Sequence, residues 1–235
     1  MRSTLGIPAP TVITHREPMA APSEAFRVLR TNLQFMGLDK PLKSILVTSA
    51  TPGEGKSTVV SNLAVAFAQT GASVCLVDAD LRRPMAHKLM GLENWSGLTT
   101  ALVGQNSLEA AIRGCAVDGL AVLTSGPIPP NPAELLGSGR MSRLVEDLEQ
   151  RFDMVLIDSP PVLAVADAAV MAPKVGGVLM VTRSGQVGRH QVMRAKQALE
   201  NVKANLLGVV LDGVSAEDRQ GYYYYYYQSK DGSNR

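Results

Sequence analysis

Short apolar runs alternate along the chain with segments whose apolar residues recur at helical spacing. Runs such as Ile45–Val47 and Val155–Ile157 are continuously apolar and rich in β-branched residues, which is typical of strands buried on both faces of a parallel sheet. The predicted strands are Ser44–Thr48, Ser73–Val77, Leu120–Thr124, Met154–Ile157, Gly177–Thr182 and Leu207–Leu211. The predicted helices are Thr58–Gln69, Met85–Met90, Gly97–Val103, Leu108–Ile112, Ser138–Gln150, Val162–Met171 and Arg189–Asn201. This alternation predicts an α/β fold, a doubly wound and mainly parallel sheet with helices on both faces.

Length and composition predict one domain with a tail at each end. The chain has 235 residues, of which 46% are hydrophobic, so it can bury a substantial core without a second domain. We expect a flexible leader over 1–22, which lacks the basic start and apolar core of a secretory signal. The folded domain is expected over 23–213, followed by a flexible, tyrosine-rich tail over 214–235.

The charge balance narrows the classes of partner. With 23 basic and 21 acidic residues the net charge is +2, which is too balanced to predict binding to nucleic acid or to a membrane surface. No apolar run approaches the roughly 18 residues of a spanning helix, so we expect no direct membrane span. The two cysteines, Cys75 and Cys115, have neither the number nor the spacing of a disulfide framework or a metal motif.

A phosphate-binding loop is predicted at Ala50–Thr58, between the first strand and the first helix. It fits the pattern G-x-x-x-x-G-K-[ST], except that Ala50 replaces the first glycine. Lys56 would neutralise the terminal phosphates of a nucleotide, and the Ser57 hydroxyl would ligate Mg²⁺. A glycine-rich turn without a ligand is the alternative, but the flanking strand and helix favour nucleotide binding. The predicted nucleotide-binding residues of the loop are Gly53, Glu54, Gly55, Lys56, Ser57 and Thr58.

Two acidic motifs follow predicted strands, at the edge where a doubly wound sheet binds its ligand. Asp78 and Asp80 follow Val77, and Asp158 follows Ile157. Carboxylates in this place can hold Mg²⁺, usually through water, because this ion keeps much of its hydration. Loop capping by aspartate is the alternative, but three aspartates after two core strands favour catalysis. The predicted catalytic residues are Lys56, Asp78, Asp80 and Asp158, and the predicted metal ligands are Ser57, Asp78, Asp80 and Asp158.

All six tyrosines of the chain form one unbroken run near its carboxyl end. An edge strand, an aromatic platform or an aggregation-prone stretch are alternative interpretations of such a run. The polar segments on both sides, 217–221 and 228–235, are instead typical of a mobile terminus. Together with the phosphate loop, this makes six residues the predicted phosphoacceptors: Tyr222, Tyr223, Tyr224, Tyr225, Tyr226 and Tyr227.

The motifs together resemble the bacterial tyrosine kinases, or BY-kinases, that control capsule and exopolysaccharide production. The resemblance rests on the phosphate loop, D-A-D-L-R-R-P from Asp78, L-I-D-S-P-P up to Pro161 and the tyrosine cluster, and it extends from about Pro22 to Tyr227. It implies a P-loop fold related to MinD and ParA, with Walker A, A′ and B motifs at 50–58, 74–82 and 155–158. It also implies an ATP-dependent tyrosine autokinase that uses Mg²⁺.

The resemblance gives a role to Glu24, Arg27 and Arg30, which recur every three residues. Their spacing alone favours a solvated helix face with a local Glu-to-Arg pair worth only ~0.2–0.5 kcal/mol. The family uses an E-x-x-R-x-x-R motif of this kind to assemble a ring of subunits. The resemblance therefore predicts that these residues form a homo-oligomer interface.

Two positions depart from related patterns. MinD and ParA ATPases carry a lysine five residues before the loop lysine, where this chain has Thr51. This weakens an alternative function, a MinD/ParA-like ATPase switch without protein phosphorylation. A non-catalytic nucleotide-dependent scaffold is a further alternative.

Asp212 stands where BY-kinases usually have asparagine, and it is a predicted nucleotide-binding residue. A carboxylate facing adenine could accept a hydrogen bond from the amino group but could not donate one.

The implied reaction transfers the γ-phosphoryl group of ATP to a tyrosine oxygen, with Asp78 or Asp80 accepting the phenolic proton. The ten residues from Asp212 to Tyr222 span at most about 33–36 Å. This length permits the tail to enter the site of a neighbouring subunit or that of its own subunit. A ring implies transfer between subunits. Six phosphates would add roughly −9 to −12 charges to each tail, so we expect phosphorylation to disassemble the ring.

The resemblance also implies partners. These are a membrane adaptor of the chain-length-determinant type, whose cytosolic end activates the kinase, and a phosphotyrosine phosphatase that resets it. Because the chain begins at Met1 and has no spanning helix, we expect a separate adaptor. The implied location is cytoplasmic, with recruitment to the inner face of the cell membrane through that adaptor.

Overall fold

The computed structural model describes residues 9–37 and 41–214, so the tyrosine run lies outside the described residues. One sheet contains seven strands within that part of the chain. The strands are β1 (Ser44–Ser49), β2 (Val74–Asp78), β3 (Arg113–Gly114), β4 (Leu120–Leu123), β5 (Met154–Asp158), β6 (Gly177–Arg183) and β7 (Leu206–Asp212). Their order across the sheet is β3-β4-β2-β5-β1-β6-β7.

Ten α-helices lie in the described residues. They are α1 (Ile13–Arg16), α2 (Ala21–Met36), α3 (Lys56–Ala68), α4 (Ala86–Met90), α5 (Leu98–Leu102), α6 (Leu108–Ala111), α7 (Pro132–Gly137), α8 (Gly139–Arg151), α9 (Asp167–Met171) and α10 (Arg189–Asn201). A 3₁₀ turn over Ala172–Lys174 follows α9.

The predicted architecture is confirmed. Every neighbouring strand pair is parallel except β3 with β4, and the apolar residues form one core on each face of the sheet. All residues of β1, β2 and β5 are buried, as their continuous apolar runs predict. The chain folds as a single α/β domain around this sheet.

The strand register brings the two acidic motifs to the phosphate loop. Val47 of β1 lies beside Asp158 of β5, and Asp158 lies beside Asp78 of β2. Parallel strands end at the same edge of a sheet, so the loop after β1 and these aspartates share one crevice. The order of the three central strands therefore builds the candidate site.

The described part of the predicted leader packs on the domain. Val12 and Thr14 are buried, and the Thr14 amide and hydroxyl both donate to Asn62 Oδ1 on α3, at 3.0 and 2.9 Å. Helix α3 is buried from Val59 to Ala68, so its outer side needs a cover, which α1 and α2 provide. Over residues 9–22 this arrangement differs from the predicted flexible leader.

Three further elements differ from the sequence prediction. The predicted helix Val162–Met171 begins only at Asp167, because the Val162 amide donates to Ser49 O and the next residues form a turn. Strand β3 has only two residues and no apolar run, so the sequence pattern did not predict it. Helix α7 was not predicted because it is short. It begins at Pro132, and proline is favourable as the first residue of a helix.

Candidate nucleotide and phosphoryl-transfer site

The phosphate loop has the backbone shape that its glycines predict. Gly53 and Gly55 have φ angles of 85° and 90°, a region that favours glycine. Gly55 is the residue before α3, and Lys56 is the first residue of the helix. The loop amides and the positive end of the 13-residue α3 thus face the crevice where phosphate groups would bind.

Glu54 shapes the loop from inside. Its side chain is fully buried, and Oε1 accepts hydrogen bonds from the amide and the hydroxyl of Thr51. Its Oε2 has no hydrogen-bond partner among the described residues. Glu54 therefore braces the turn through its side chain, and its predicted contact with a nucleotide stays a prediction.

Lys56 lies at the centre of a charged cluster. Its Nζ is 2.7 Å from Asp80 Oδ2 and 3.7 Å from Asp158 Oδ1, and it donates to Ser57 Oγ at 3.3 Å. Burial lowers the pKa of Lys56, but the carboxylates of Asp158 and Asp80 outweigh burial, so the net pKa is raised. The ammonium group remains protonated and is held at the mouth of the loop.

Asp78 is held by backbone amides. Its Oδ2 accepts from the amides of Met85 and Ala86 at 3.0 and 2.9 Å, and its Oδ1 accepts from the Asp80 amide at 3.3 Å. Burial and the charge of Asp158 raise the pKa of Asp78. The contacts identify Asp78 as the residue that shapes the loop carrying Asp80.

Asp158 is the carboxylate with open coordination. It is fully buried, and neither side-chain oxygen has a hydrogen-bond partner among the described residues. Burial raises the pKa of Asp158, and the charge of Lys56 partly offsets that rise. A buried carboxylate is costly unless a cation reaches it, and here Lys56 Nζ lies 3.7 Å from Oδ1.

The four predicted metal ligands fit Mg²⁺ unequally. Within the described residues, no group of three or more His, Cys, Asp or Glu side chains is arranged to hold a metal by itself. Asp78 is occupied by amides and Asp80 by Lys56. Ser57 and the open oxygens of Asp158 fit one Mg²⁺ whose other ligands are phosphate oxygens and water, as this ion prefers.

Arg82 and Asp167 form a pair that the sequence did not single out. Arg82 donates from Nε and Nη2 to the two oxygens of Asp167, at 2.9 and 3.0 Å. The Asp167 side chain is fully buried at the start of α9, whereas that of Arg82 is 40% exposed. Arg82 follows β2 and Asp167 follows β5, so the pair joins these two segments. Since Arg82 is two residues from Asp80, the pair also fixes the loop that carries Asp80.

The carboxylate of Asp212, at the end of β7, lies against the phosphate loop. A Cβ atom added to Gly55 would collide with Asp212 Oδ2. The Asp212 carbonyl accepts from the Ser184 amide at 2.8 Å, which joins the ends of β6 and β7. Asp212 thus belongs to the site, while its predicted contact with adenine stays a prediction.

The three predicted interface residues lie on α2, and all three make contacts within the chain. Arg27 donates to Glu24 at 2.8 Å and to the Pro18 carbonyl at 2.6 Å. Arg30 donates to the Ala66 carbonyl near the end of α3, at 3.0 Å. Glu24 keeps 64% of its side chain exposed, against 28% for Arg27. Their role between subunits stays a prediction.

Comparisons with known proteins identify the family and the fold. A family model described as ParA, NUBPL iron-transfer P-loop NTPase, matches residues 41–231. The tyrosine-protein kinase YwqD of Bacillus subtilis is 47% identical over 214 residues, which cover 90% of each chain. The chain belongs to the bacterial tyrosine-kinase family. The kinase domain of Escherichia coli Etk has a TM-score of 0.85 and 38% identity, covering 92% of this chain and 83% of that one.

The fold is also shared with ATPases of the MinD type. The septum-site-determining protein MinD of Pyrococcus horikoshii, in complex with Mg-ADP, has a TM-score of 0.64 and 25% identity, covering 75% of this chain and 73% of that one. No helix in the described residues is both long and apolar enough to cross a bilayer.

Proposed function

We propose that this chain is an ATP-dependent tyrosine autokinase that phosphorylates its own cluster Tyr222–Tyr227, between subunits. The observation that carries the proposal is the position of Lys56, whose Nζ lies at the end of a phosphate loop and contacts both acidic motifs. Such a site positions a triphosphate and stabilises the negative charge of a phosphoryl transfer. The tyrosine run supplies six acceptors on the same polypeptide.

The chemical step forms a bond between the tyrosine oxygen and the γ-phosphorus and breaks the bond between that phosphorus and the β–γ bridging oxygen. ADP leaves, and the phenolic proton passes to a carboxylate. Both oxygens of each aspartate already accept hydrogen bonds, those of Asp78 from backbone amides and those of Asp80 from the Arg83 amide and from Lys56. We prefer Asp80 because it faces Lys56, which would contact the transferred group.

Mg²⁺ completes the proposed site. Ser57 and Asp158 would hold it, and it would neutralise charge on the phosphate oxygens. Two features of this chain support that assignment: Asp158 has two open oxygens, and Ser57 follows the loop lysine, as the phosphate-loop pattern requires.

The subunit interface is proposed on the outer side of α2. Helix α2 packs on α3 through Phe26, Leu29 and Leu33, while its opposite side is exposed. Because the residues of that exposed side are three or four positions apart, they form one stripe. We call them the α2 stripe: Ala21, Ala25, Val28, Asn32 and Phe35. Val28 and Phe35 are 53% and 66% exposed, so a second copy would bury apolar surface here beside Glu24.

The cellular role follows from the family. The proposed kinase regulates exopolysaccharide or capsule synthesis and export, with a membrane adaptor of the chain-length-determinant type as activator and a phosphotyrosine phosphatase as antagonist. It would act in the cytoplasm, at the inner face of the cell membrane. Copurification with such an adaptor, lost when the adaptor's cytosolic end is removed, is the expected result.

One labelling experiment tests the proposal. The full chain is incubated with Mg²⁺ and γ-labelled ATP beside three variants: Lys56→Met, a Phe-tailed variant with Tyr222–Tyr227 changed to Phe, and Lys196→Met as a control on the exposed side of α10. We expect label on tyrosine in the unaltered chain and in Lys196→Met only. ATP hydrolysis without label on protein would support the MinD-like switch instead.

A further inference from the structure

Three exposed apolar side chains lie on the loops that follow β2, precede α5 and follow β4. They are Met85, Trp95 and Ile128, with 38%, 70% and 65% of their surfaces exposed. Single exposed apolar residues are common on protein surfaces, but an exposed tryptophan close to a reaction site calls for an explanation. We call these three residues the Trp95 platform.

The platform lies near Asp78, which accepts a hydrogen bond from the amide of the proposed proton acceptor, Asp80. The Met85 amide donates to Asp78 Oδ2 at 3.0 Å. Val77 pairs with Leu123 in the sheet, so the next residues, Asp78 and Thr124, are neighbours about 5 Å apart. The Thr124 hydroxyl donates to the carbonyl of Ser96, the residue after Trp95, at 2.9 Å. One strand spacing and one hydrogen bond therefore connect Asp78 to the backbone beside Trp95.

Hydrogen bonds hold the backbone of the platform in place before any partner binds. Asn94 donates to Ser125 Oγ at 2.9 Å and accepts from the Gly126 amide at 2.8 Å. The Leu98 amide donates to the Thr124 carbonyl at 2.7 Å. These bonds join the loop before α5 to the loop after β4. Trp95 and Ile128 thus stand on two loops that are fixed to each other, which lowers the entropy cost of binding.

Arg113 orients the indole and adds positive charge. Its guanidinium carbon lies 4.3 Å from the centroid of the Trp95 ring, and its Nη1 donates to the Glu93 carbonyl at 3.3 Å. A guanidinium over an indole is a favourable cation–π contact. Most of the Trp95 surface is still exposed, so a further aromatic ring can stack there. Aromatic residues and arginine also dominate binding hot spots.

We propose that the Trp95 platform is the docking surface for the tyrosine cluster of a second copy of this chain. The inference rests on the proposed autokinase function and adds the surface that selects the acceptor. One tyrosine of Tyr222–Tyr227 reaches Asp80, while a neighbouring tyrosine stacks on Trp95. A run of identical residues suits this arrangement, because any of the six can stack while another reacts.

Chain length brings the tyrosine cluster within reach of the platform. The described residues end at Val214, just after β7. Five strand spacings, or about 24 Å, separate β7 from β4. The eight residues from Val214 to Tyr222 span at most about 26–29 Å. Tyr222 of the chain's own tail would have to run nearly straight to reach β4, whereas Tyr227, thirteen residues from Val214, reaches up to about 43–47 Å. Chain length thus admits the tail of either copy, and the proposed transfer between subunits selects that of the second copy.

Trp95 is the only tryptophan of the chain, so its fluorescence reports docking without a label. The full chain with Tyr222–Tyr227 changed to Ser is titrated with a synthetic peptide of residues 215–235. We expect a saturable change in Trp95 emission, and none with a peptide whose six tyrosines are serines. Equal responses to the two peptides, or no response to either, would overturn the proposal.

Kinetics test whether docking selects the acceptor. The Phe-tailed variant acts as enzyme, and the Lys56→Met chain supplies the tail. Replacing Trp95 by Ala in the enzyme should raise the KM for the acceptor chain about 3- to 10-fold, with kcat and the KM for ATP unchanged. Trp95→Phe should restore most of the lost affinity. Met193→Ala, an exposed residue of α10, and Trp95→Ala in the acceptor chain are the controls.

The outcomes separate this inference from the function on which it rests. Transfer to the acceptor with an unchanged KM in Trp95→Ala would overturn the platform and leave the kinase intact. No transfer from the unaltered kinase, with a saturable emission change, would overturn the kinase function and retain Trp95 as a binding site for the tail.

Discussion

The crevice around Lys56 and the outer side of α2 both carry charged residues, but the two regions differ in how far these side chains are exposed to solvent. In the crevice, the side chains of Lys56, Asp80 and Asp158 are 11%, 4% and 0% exposed. On α2, the Glu24 side chain is 64% exposed beside Arg27. A buried charge is costly unless it is paired, whereas an exposed pair contributes at most about 1 kcal/mol. The charges of the crevice are therefore buried and paired with one another, whereas those on α2 are exposed and contribute little to the stability of the single chain.

The largest expected effect comes from removing the space beside Asp212. Changing Gly55 to Ala would force a positive φ on alanine and drive its Cβ into the Asp212 carboxylate. A shift of the phosphate loop should lower the rate of tyrosine phosphorylation on the order of 100-fold. Initial rates at saturating ATP measure the effect.

Gly71→Ala is the matched control, because Gly71 has a similar φ of 87° but no atom within 4 Å of an added Cβ. It should cost only about 1–2 kcal/mol of stability and leave transfer nearly unchanged. Adding Asp212→Ala to Gly55→Ala should recover part of the rate. Equal effects of the two glycine substitutions would show that the space beside Asp212 is irrelevant.

The next effect concerns the pair between Arg82 and Asp167. Arg82→Gln leaves the fully buried Asp167 carboxylate without its cation, so the free energy of unfolding should fall by about 3 kcal/mol. Arg151→Gln, which breaks contacts with the exposed Glu109 and Asp147, should cost less than about 1 kcal/mol. Urea unfolding of both variants measures the difference. Similar losses would contradict the contrast between buried and exposed pairs.

A smaller effect is expected on the α2 stripe. Phe35→Ala should weaken self-association about tenfold, because it removes roughly 1.5 kcal/mol of apolar burial. Glu24→Gln should change self-association less, since an exposed charge contributes little. Sedimentation equilibrium compares the two variants. An interface that loses more from Glu24→Gln than from Phe35→Ala would rest on charge and not on the stripe.

Phosphorylation should act on the assembly through charge alone. Six phosphates add roughly −9 to −12 charges to each tail, which opposes close approach of the tails. Light scattering should therefore show a smaller particle after complete phosphorylation, and the difference should shrink at high salt because ions screen the repulsion. An unchanged particle size would remove this mechanism of control.

The sequence predicts the central sheet and the charged crevice well because their signals are local. Continuous apolar runs identify β1, β2 and β5, and the residues that follow these strands meet in space because parallel strands end together. The contact of Asp212 with Gly55 and the pairing of Asp167 with Arg82 join residues 157 and 85 positions apart. No local pattern encodes such contacts.

At α9 and over residues 9–22, the structure differs from the sequence prediction for a common reason. Val162 shows helical apolar spacing, but its amide bonds to the end of β1. Residues 10–16 belong to the predicted flexible leader, yet they help to cover the outer side of α3, where Asn62 Oδ1 accepts hydrogen bonds from Thr14. Tertiary contacts override local propensity in both places.

Mapping the phosphorylated residues tests the central claim most directly. The Phe-tailed variant, which keeps an intact crevice, is mixed with Mg²⁺, ATP and the Lys56→Met chain, which keeps its six tyrosines. Mass spectrometry should then find phosphate on Tyr222–Tyr227 of the Lys56→Met chain. Consumption of ATP with no phosphate on any of these tyrosines would contradict transfer from the crevice of one subunit to the tail of another.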